Sequence, residues 1–303
     1  MPRLTAADFH PEVLRLFDRY VHGQLSRRDF LQQASAHAGG SAAGAAALLV
    51  ALNPQFAQAQ QVRPDDARLA ASRVEFASPQ GSGLVKGYLV RPAGAKGKLP
   101  AVLVVHENRG LNPHIEDIAR RLALADFVAF APDALAPLGG YPGDEDKARE
   151  LFTTLDASKT RQDFLAAAKA LKTLPDSSGR VGVVGFCFGG GMVNWLATQW
   201  PELAAGVPFY GGQPPAEDVA RIKAALQLHY AGIDERINAG WPAYETALKS
   251  AGVRYEAFVY AGTQHGFNND TTPRFDAEAA KLAWGRTLAF FEKYLRGQPP
   301  RLP

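Results

Sequence analysis

The chain has 303 residues, 47% hydrophobic and 21% charged, enough to bury a full core as either one large α/β domain or two small ones, and its formal net charge is +3. With so small an excess of base and no basic tract interleaved with aromatics, nucleic acid is excluded as a partner. A single cysteine excludes an intrachain disulfide framework and a multi-cysteine metal site, so that residue is structural, reactive or incidental.

Residues 1–25 predict a short amphipathic helix, with Val13, Leu14, Leu16, Phe17 and Val21 apolar among Glu12, Arg15, Asp18 and Arg19. Ser26-Arg27-Arg28-Asp29-Phe30-Leu31 then resembles a twin-arginine export signal. It is followed by an Ala/Gly-rich run from Ala34 to Leu52 and a small-x-small cleavage site at Ala57-Gln58-Ala59. This order predicts a signal region over 1–59, the twin-arginine translocation machinery as a partner, and a folded single domain over 60–303 delivered to the periplasm. The alternative is an Ala-rich helix packed on the domain. With His37 and several glycines, the 34–52 run is too weakly apolar for a stable membrane span.

From Ser72 onward strands and helices alternate, which predicts an α/β architecture, a mostly parallel sheet with helices on both faces. Ser72 to Ala77 and Leu84 to Val90 flank a Pro/Gly turn and read as an N-terminal antiparallel hairpin. Ala101 to Val105 is a β-branched run suited to a strand buried on both faces. It ends in His106-Glu107-Asn108-Arg109-Gly110, polar groups where open α/β sheets place ligands. A helix over Ile115 to Ala123 and a strand over Phe127 to Phe130 follow. The Pro/Gly-rich stretch from Leu135 leads into a charged helix around Asp144 to Phe152 and reads as a loop that shapes a pocket.

Val181 to Asn194, VGVVGFCFGGGMVN, is an apolar strand entering Gly185-Phe186-Cys187-Phe188-Gly189 and leaving as a helix. A Gly-x-nucleophile-x-Gly turn of this kind is a nucleophile elbow, here carrying cysteine; a buried, inert cysteine in a glycine-rich turn is the alternative. Two further strand patterns end in Gly232-Ile233-Asp234 and Thr263-Gln264-His265-Gly266-Phe267. The chain order Cys187, Asp234, His265 is that of a nucleophile–acid–base triad. His265 would take the thiol proton and later activate water, and Asp234 would hold the imidazole in one tautomer. Taken singly, Asp234 could be a turn or cap residue and His265 a loop residue. Backbone N–H groups of Phe188 and Asn108 are the expected oxyanion donors.

With Cys187 in GxCxG, Asp234, His265-Gly266-Phe267 and Glu107 in VVHENRGL placed in this way, the stretch from Ser72 to Leu295 resembles the dienelactone hydrolase family of α/β-hydrolases. The resemblance implies cleavage of a small ester or lactone through an acyl-cysteine intermediate, with no cofactor and no metal. It also gives Glu107 the role of a carboxylate that pairs with the thiol and helps ionise it; a salt bridge to Arg109 is the alternative. Members that take anionic dienelactones carry an arginine four residues past the histidine, where this chain has Asn269, so Arg109, Arg149 or Arg274 would have to grip a substrate carboxylate. A thiol-reactive binding protein without turnover is a second reading of Cys187.

Overall fold

The computed structural model describes residues 3–297. Four helices come first: α1 (Pro11–Val21), α2 (Arg27–Ala34), α3 (Ala42–Leu52) and the single turn α4 (Phe56–Ala59). The sheet-bearing unit follows as β1 (Leu69–Ser78), β2 (Gly83–Pro92), β3 (Leu99–Val105), α5 (Pro113–Leu124), β4 (Val128–Pro132), α6 (Glu145–Thr153), α7 (Ala157–Thr173), β5 (Ser177–Phe186) and α8 (Phe188–Gln199). It closes with β6 (Ala205–Phe209), β7 (Ala225–Ile233), α9 (Glu235–Asn238), α10 (Trp241–Ser250), β8 (Tyr255–Gln264) and α11 (Ala277–Phe291).

All eight strands join one sheet in the order β1-β2-β4-β3-β5-β6-β7-β8. The first two form the expected hairpin, with Ser72 opposite Leu89, and β2 pairs antiparallel to β4; every later pairing is parallel. Alternate residues of β3 supply two cores. Ala101, Leu103 and Val105 face the layer of α7, α8 and α10, and Val102 and Val104 face that of α5 and α11. This is the α/β-hydrolase arrangement. Parallel strands bring the carboxyl ends of β3, β5, β7 and β8 to one edge, and the chemistry collects there.

The residues expected to form a leader are folded onto that edge. Phe17, Tyr20, Phe30, Leu49 and Leu52 are each 2% exposed or less and form a small core of their own. Within the arginine pair motif, Ser26 caps α2 by accepting the Asp29 N–H, and Arg27 pairs with Asp146 on α6. No single helix among the described residues is long and apolar enough to cross a membrane, and the axis turns by 108° between Arg27–His37 and Ala42–Leu52.

Candidate active site

Cys187 sits between β5 and α8 with φ 56° and ψ −112°, a left-handed backbone that a non-glycine residue adopts only when its surroundings enforce it. The flanking glycines are what enforce it. A Cβ on Gly185 would lie 2.2 Å from the Gly189 carbonyl oxygen, and one on Gly189 would lie 2.3 Å from that of Val105. Only glycine lets β5, α8 and the end of β3 pass this close. The Cys187 N–H is spent on the Phe209 carbonyl at 3.1 Å. Phe188 opens α8, so its N–H has no partner within the helix and is free for an anion.

Asp234 follows β7 and His265 follows β8, which brings residues far apart in the chain to one corner. Oδ2 of Asp234 accepts the Nδ1–H of His265 at 2.6 Å, both side chains being almost wholly buried. Nε2 of His265 has no hydrogen-bond partner and is left for the sulfur. The Cys187 sulfur and a ring nitrogen from each of His265 and His22 all lie within 4.8 Å of one another. No other group of histidine, cysteine and carboxylate atoms among the described residues converges in this way. Burial by itself would push the thiol up, but the imidazoles of His265 and His22 outweigh it and hold the thiol down at about 5. Burial likewise opposes charge on His265, yet the Cys187 sulfur and the Asp234 carboxylate lift it to about 10. The resting pair is therefore thiolate and imidazolium.

Glu107, from the loop after β3, is not bonded to the thiol here. Its Oε2 accepts the Asn269 amide at 2.9 Å, so the residue standing where an arginine was sought serves to fix Glu107. Asn108 lines the cavity beside Cys187 and Phe188, and its side-chain amide donates to the Val21 carbonyl at 2.5 Å. Arg109, expected as a substrate group, is 5% exposed and pairs with Glu145 at 3.0 Å, away from the cavity lining. Arg149 does line it, with its guanidinium 4.4 Å over the Tyr20 ring. Arg274 pairs with Asp18.

The cavity in front of the sulfur holds about 520 Å³. Its wall includes Arg149, Arg161 and Arg236 and no aspartate or glutamate, so it favours an anion. Arg161 and Arg236 went unnoticed in the sequence, as did Tyr210. Tyr210 has φ 36°, a buried hydroxyl without a partner, and a ring 4.9 Å from that of His265. Burial, with Glu107 and Cys187 nearby, pushes its phenol well up, so the hydroxyl stays protonated and able to donate. The other histidines of the catalytic unit are structural. His106 is buried and accepts the Ala134 N–H, His229 bonds Tyr260 and Gln227, and His114 pairs with Asp270.

A sequence model described as "Dienelactone hydrolase family" matches residues 85–295, and one described as "YqhI-like" matches residues 1–39. A "putative carboxymethylenebutenolidase" of Escherichia coli O157:H7 is 32% identical over 248 residues, covering 76% of this chain and 89% of that protein. The "putative hydrolase fragment YghX" of Escherichia coli K12 is 54% identical over 112 residues, 37% of this chain and 96% of that one. Among solved structures, a "putative dienelactone hydrolase" from Klebsiella pneumoniae superposes with a TM-score of 0.64 at 28% identity, over 74% of this chain and all of that one.

Proposed function

From the premise that this chain belongs to the dienelactone hydrolase family, we propose that it hydrolyses a small ester or lactone bearing an anionic group, through an acyl-cysteine intermediate and a Cys187–His265–Asp234 triad. The observation that carries this is the alignment at the elbow: Asp234 holds Nδ1 of His265 at 2.6 Å, and Nε2 is left unpartnered beside a sulfur in strained backbone. The thiolate attacks the carbonyl carbon, and the oxyanion that forms is met by the N–H groups of Phe188 and Asn108. Collapse breaks the ester carbon–oxygen bond and keeps the acyl–sulfur bond; the departing alkoxide takes up a proton whose ultimate source is the His265 imidazolium, which is left neutral. Water, deprotonated by His265, then releases the acid and restores the thiolate.

The anionic preference rests on the arginines of the cavity wall and the absence of acid among its lining residues. A periplasmic destination rests on the Ser26 to Leu31 hexapeptide, and fractionation of the native host checks it. For the chemistry, Cys187→Ala should lower turnover of an activated aryl ester by about 10⁴-fold or more, since triad members act as a unit. Intact mass after substrate addition should show a transient acyl adduct on the wild type. Wild-type turnover by Cys187→Ala would sink the assignment, and a permanent adduct without product would favour a thiol-reactive binding protein.

A further inference from the structure

His22 is one residue past the end of α1, at the foot of the N-terminal segment, and its ring reaches into the site of the catalytic unit. Nε2 lies 3.3 Å from the Cys187 sulfur, and the ring meets that of His265 edge-on with centroids 4.7 Å apart. Nδ1 faces the Asp18 carbonyl at 2.7 Å and the Asp18 carboxylate at 3.3 Å. A carbonyl oxygen can only accept, so Nδ1 carries the hydrogen, and Nε2 is the nitrogen that exchanges a proton with the sulfur side. This repeats the arrangement of His265, whose Nδ1 is held by Asp234. The thiol therefore faces two imidazoles, each with its tautomer set by an aspartate.

The segment that carries His22 is anchored as a built part of the site. Asp18 pairs with Arg274 at 3.4 Å and lies 4.0 Å from Arg236. Tyr20 donates to Asp146 at 2.5 Å beneath the Arg149 guanidinium, and the Val21 carbonyl accepts from Asn108. Further along, the Gln55 N–H reaches the Thr271 carbonyl at 2.7 Å. The Klebsiella structure is covered whole by about three quarters of this chain, and residues 1–39 match a sequence model of their own.

We propose that the N-terminal segment is retained in the working enzyme and that His22 is a second catalytic imidazole, which protonates the departing alkoxide while His265 serves the thiol and the water. The proposal rests on the acyl-cysteine reading above. As the tetrahedral adduct collapses, the carbon–oxygen bond of the ester breaks and its electron pair goes to the alkoxide. That oxygen takes the proton from Nε2 of His22, giving neutral alcohol and neutral imidazole. In the acyl-enzyme His265, an imidazolium at rest, passes its proton by way of a cavity water to the neutral His22, whose ring nitrogen lies within 4.8 Å. His265 is then a base for the attacking water, and that proton returns it to its charged form. The groups facing His22 are Asp18 on α1, Cys187 at the elbow, His265 after β8 and Arg236 on α9, with Arg274 acting through Asp18. Burial lowers the basicity of His22, but Cys187 and Asp18 more than offset that and raise it, in keeping with a proton donor. Arg236, 3.0 Å from Nε2, bonds it in the neutral form and must swing aside when it is charged, which a side chain one-third exposed can do.

The test compares His22→Gln and Asp18→Asn with the full-length wild type on two esters of one acid, one with a p-nitrophenolate leaving group and one with an unactivated alkoxide. A phenolate that stable needs no proton, whereas an alkoxide does. His22→Gln should lower kcat/KM for the alkyl ester by about 100-fold and for the aryl ester by under about tenfold, in the range of general acid catalysis. Asp18→Asn should show a weaker form of the same split. Equal losses on both esters, or none, would overturn the role of His22, because a merely structural contact has no preference for the leaving group. Intact mass of active enzyme from the native host should include residues 1–59; active enzyme lacking them would overturn the retention. Cys187→Ala run in parallel separates the two levels. If it is inactive while His22→Gln shows no split, only this inference falls.

Discussion

The side-chain amide of Asn269 donates to Oε2 of Glu107 at 2.9 Å, while its own oxygen is occupied by the N–H and hydroxyl of Thr271. The amide is thus locked with its NH₂ toward the carboxylate, and it cannot flip without losing three bonds. Asn269→Asp keeps the shape and places a second carboxylate oxygen against Glu107. Two carboxylates in contact cannot both ionise, so one would have its pKa raised in the folded state. A raised carboxyl pKa means the folded form holds the proton longer than the unfolded form, so stability falls as pH rises. Asn269→Asp should lose about 2–3 kcal/mol at pH 7.5 and recover much of it near pH 5. Urea unfolding at the two pH values checks this, and an equal loss at both would contradict it.

The thiolate–imidazolium pair gives a pH signature. With its pKa held at about 5, Cys187 should react with iodoacetamide at a nearly constant rate between about pH 6 and 8. An ordinary thiol would gain about tenfold per pH unit over that range. Stability follows the same groups. The lowered Cys187 pKa contributes above its unfolded value of 9.0 and is lost as pH falls through about 5. The raised His265 pKa contributes below 6.5 and is lost as pH rises through about 10. Between 6.5 and 9.0 the folded and unfolded pair each hold one proton, so the contribution is level there and declines on either side. A rate of alkylation still climbing from pH 7 to 8.5 would contradict a preformed ion pair.

The sequence reveals those parts of the site that are bound to a strand end. Glycine spacing around Cys187, and the polar residues after the strands of Asp234 and His265, announce themselves because a sheet edge imposes local pattern. His22 is invisible for the opposite reason. It reaches the sulfur through the docking of helices whose composition also suits an export leader, and a contact between residues so far apart leaves no local trace. Arg109 shows the converse. A charged residue in the loop after β3 suggests a substrate grip, yet whether it faces the cavity or Glu145 depends on the conformation of the segment around α6, which local composition does not fix.

That difference separates two arginines by measurement. Arg109 and Glu145 are both under 10% exposed, and burial, with the Glu107 carboxylate nearby, drives the Glu145 carboxyl up against the pull of Arg109. Arg109→Ala leaves a buried carboxylate without its partner and should cost about 3–5 kcal/mol of stability. It should leave the ratio of KM values for an anionic ester and its neutral isostere unchanged. Arg161 is an exposed residue at the cavity wall, with its guanidinium 5.6 Å over the Trp195 ring. Arg161→Ala should change stability little and raise KM for the anionic ester by about tenfold, the worth of one charge-assisted hydrogen bond, with the neutral isostere unaffected. Denaturant midpoints and the two KM values, taken on both variants, decide it. If Arg109→Ala shifted the anionic preference while Arg161→Ala did not, the substrate carboxylate would have to sit behind the loop after β3 and not in the cavity in front of Cys187.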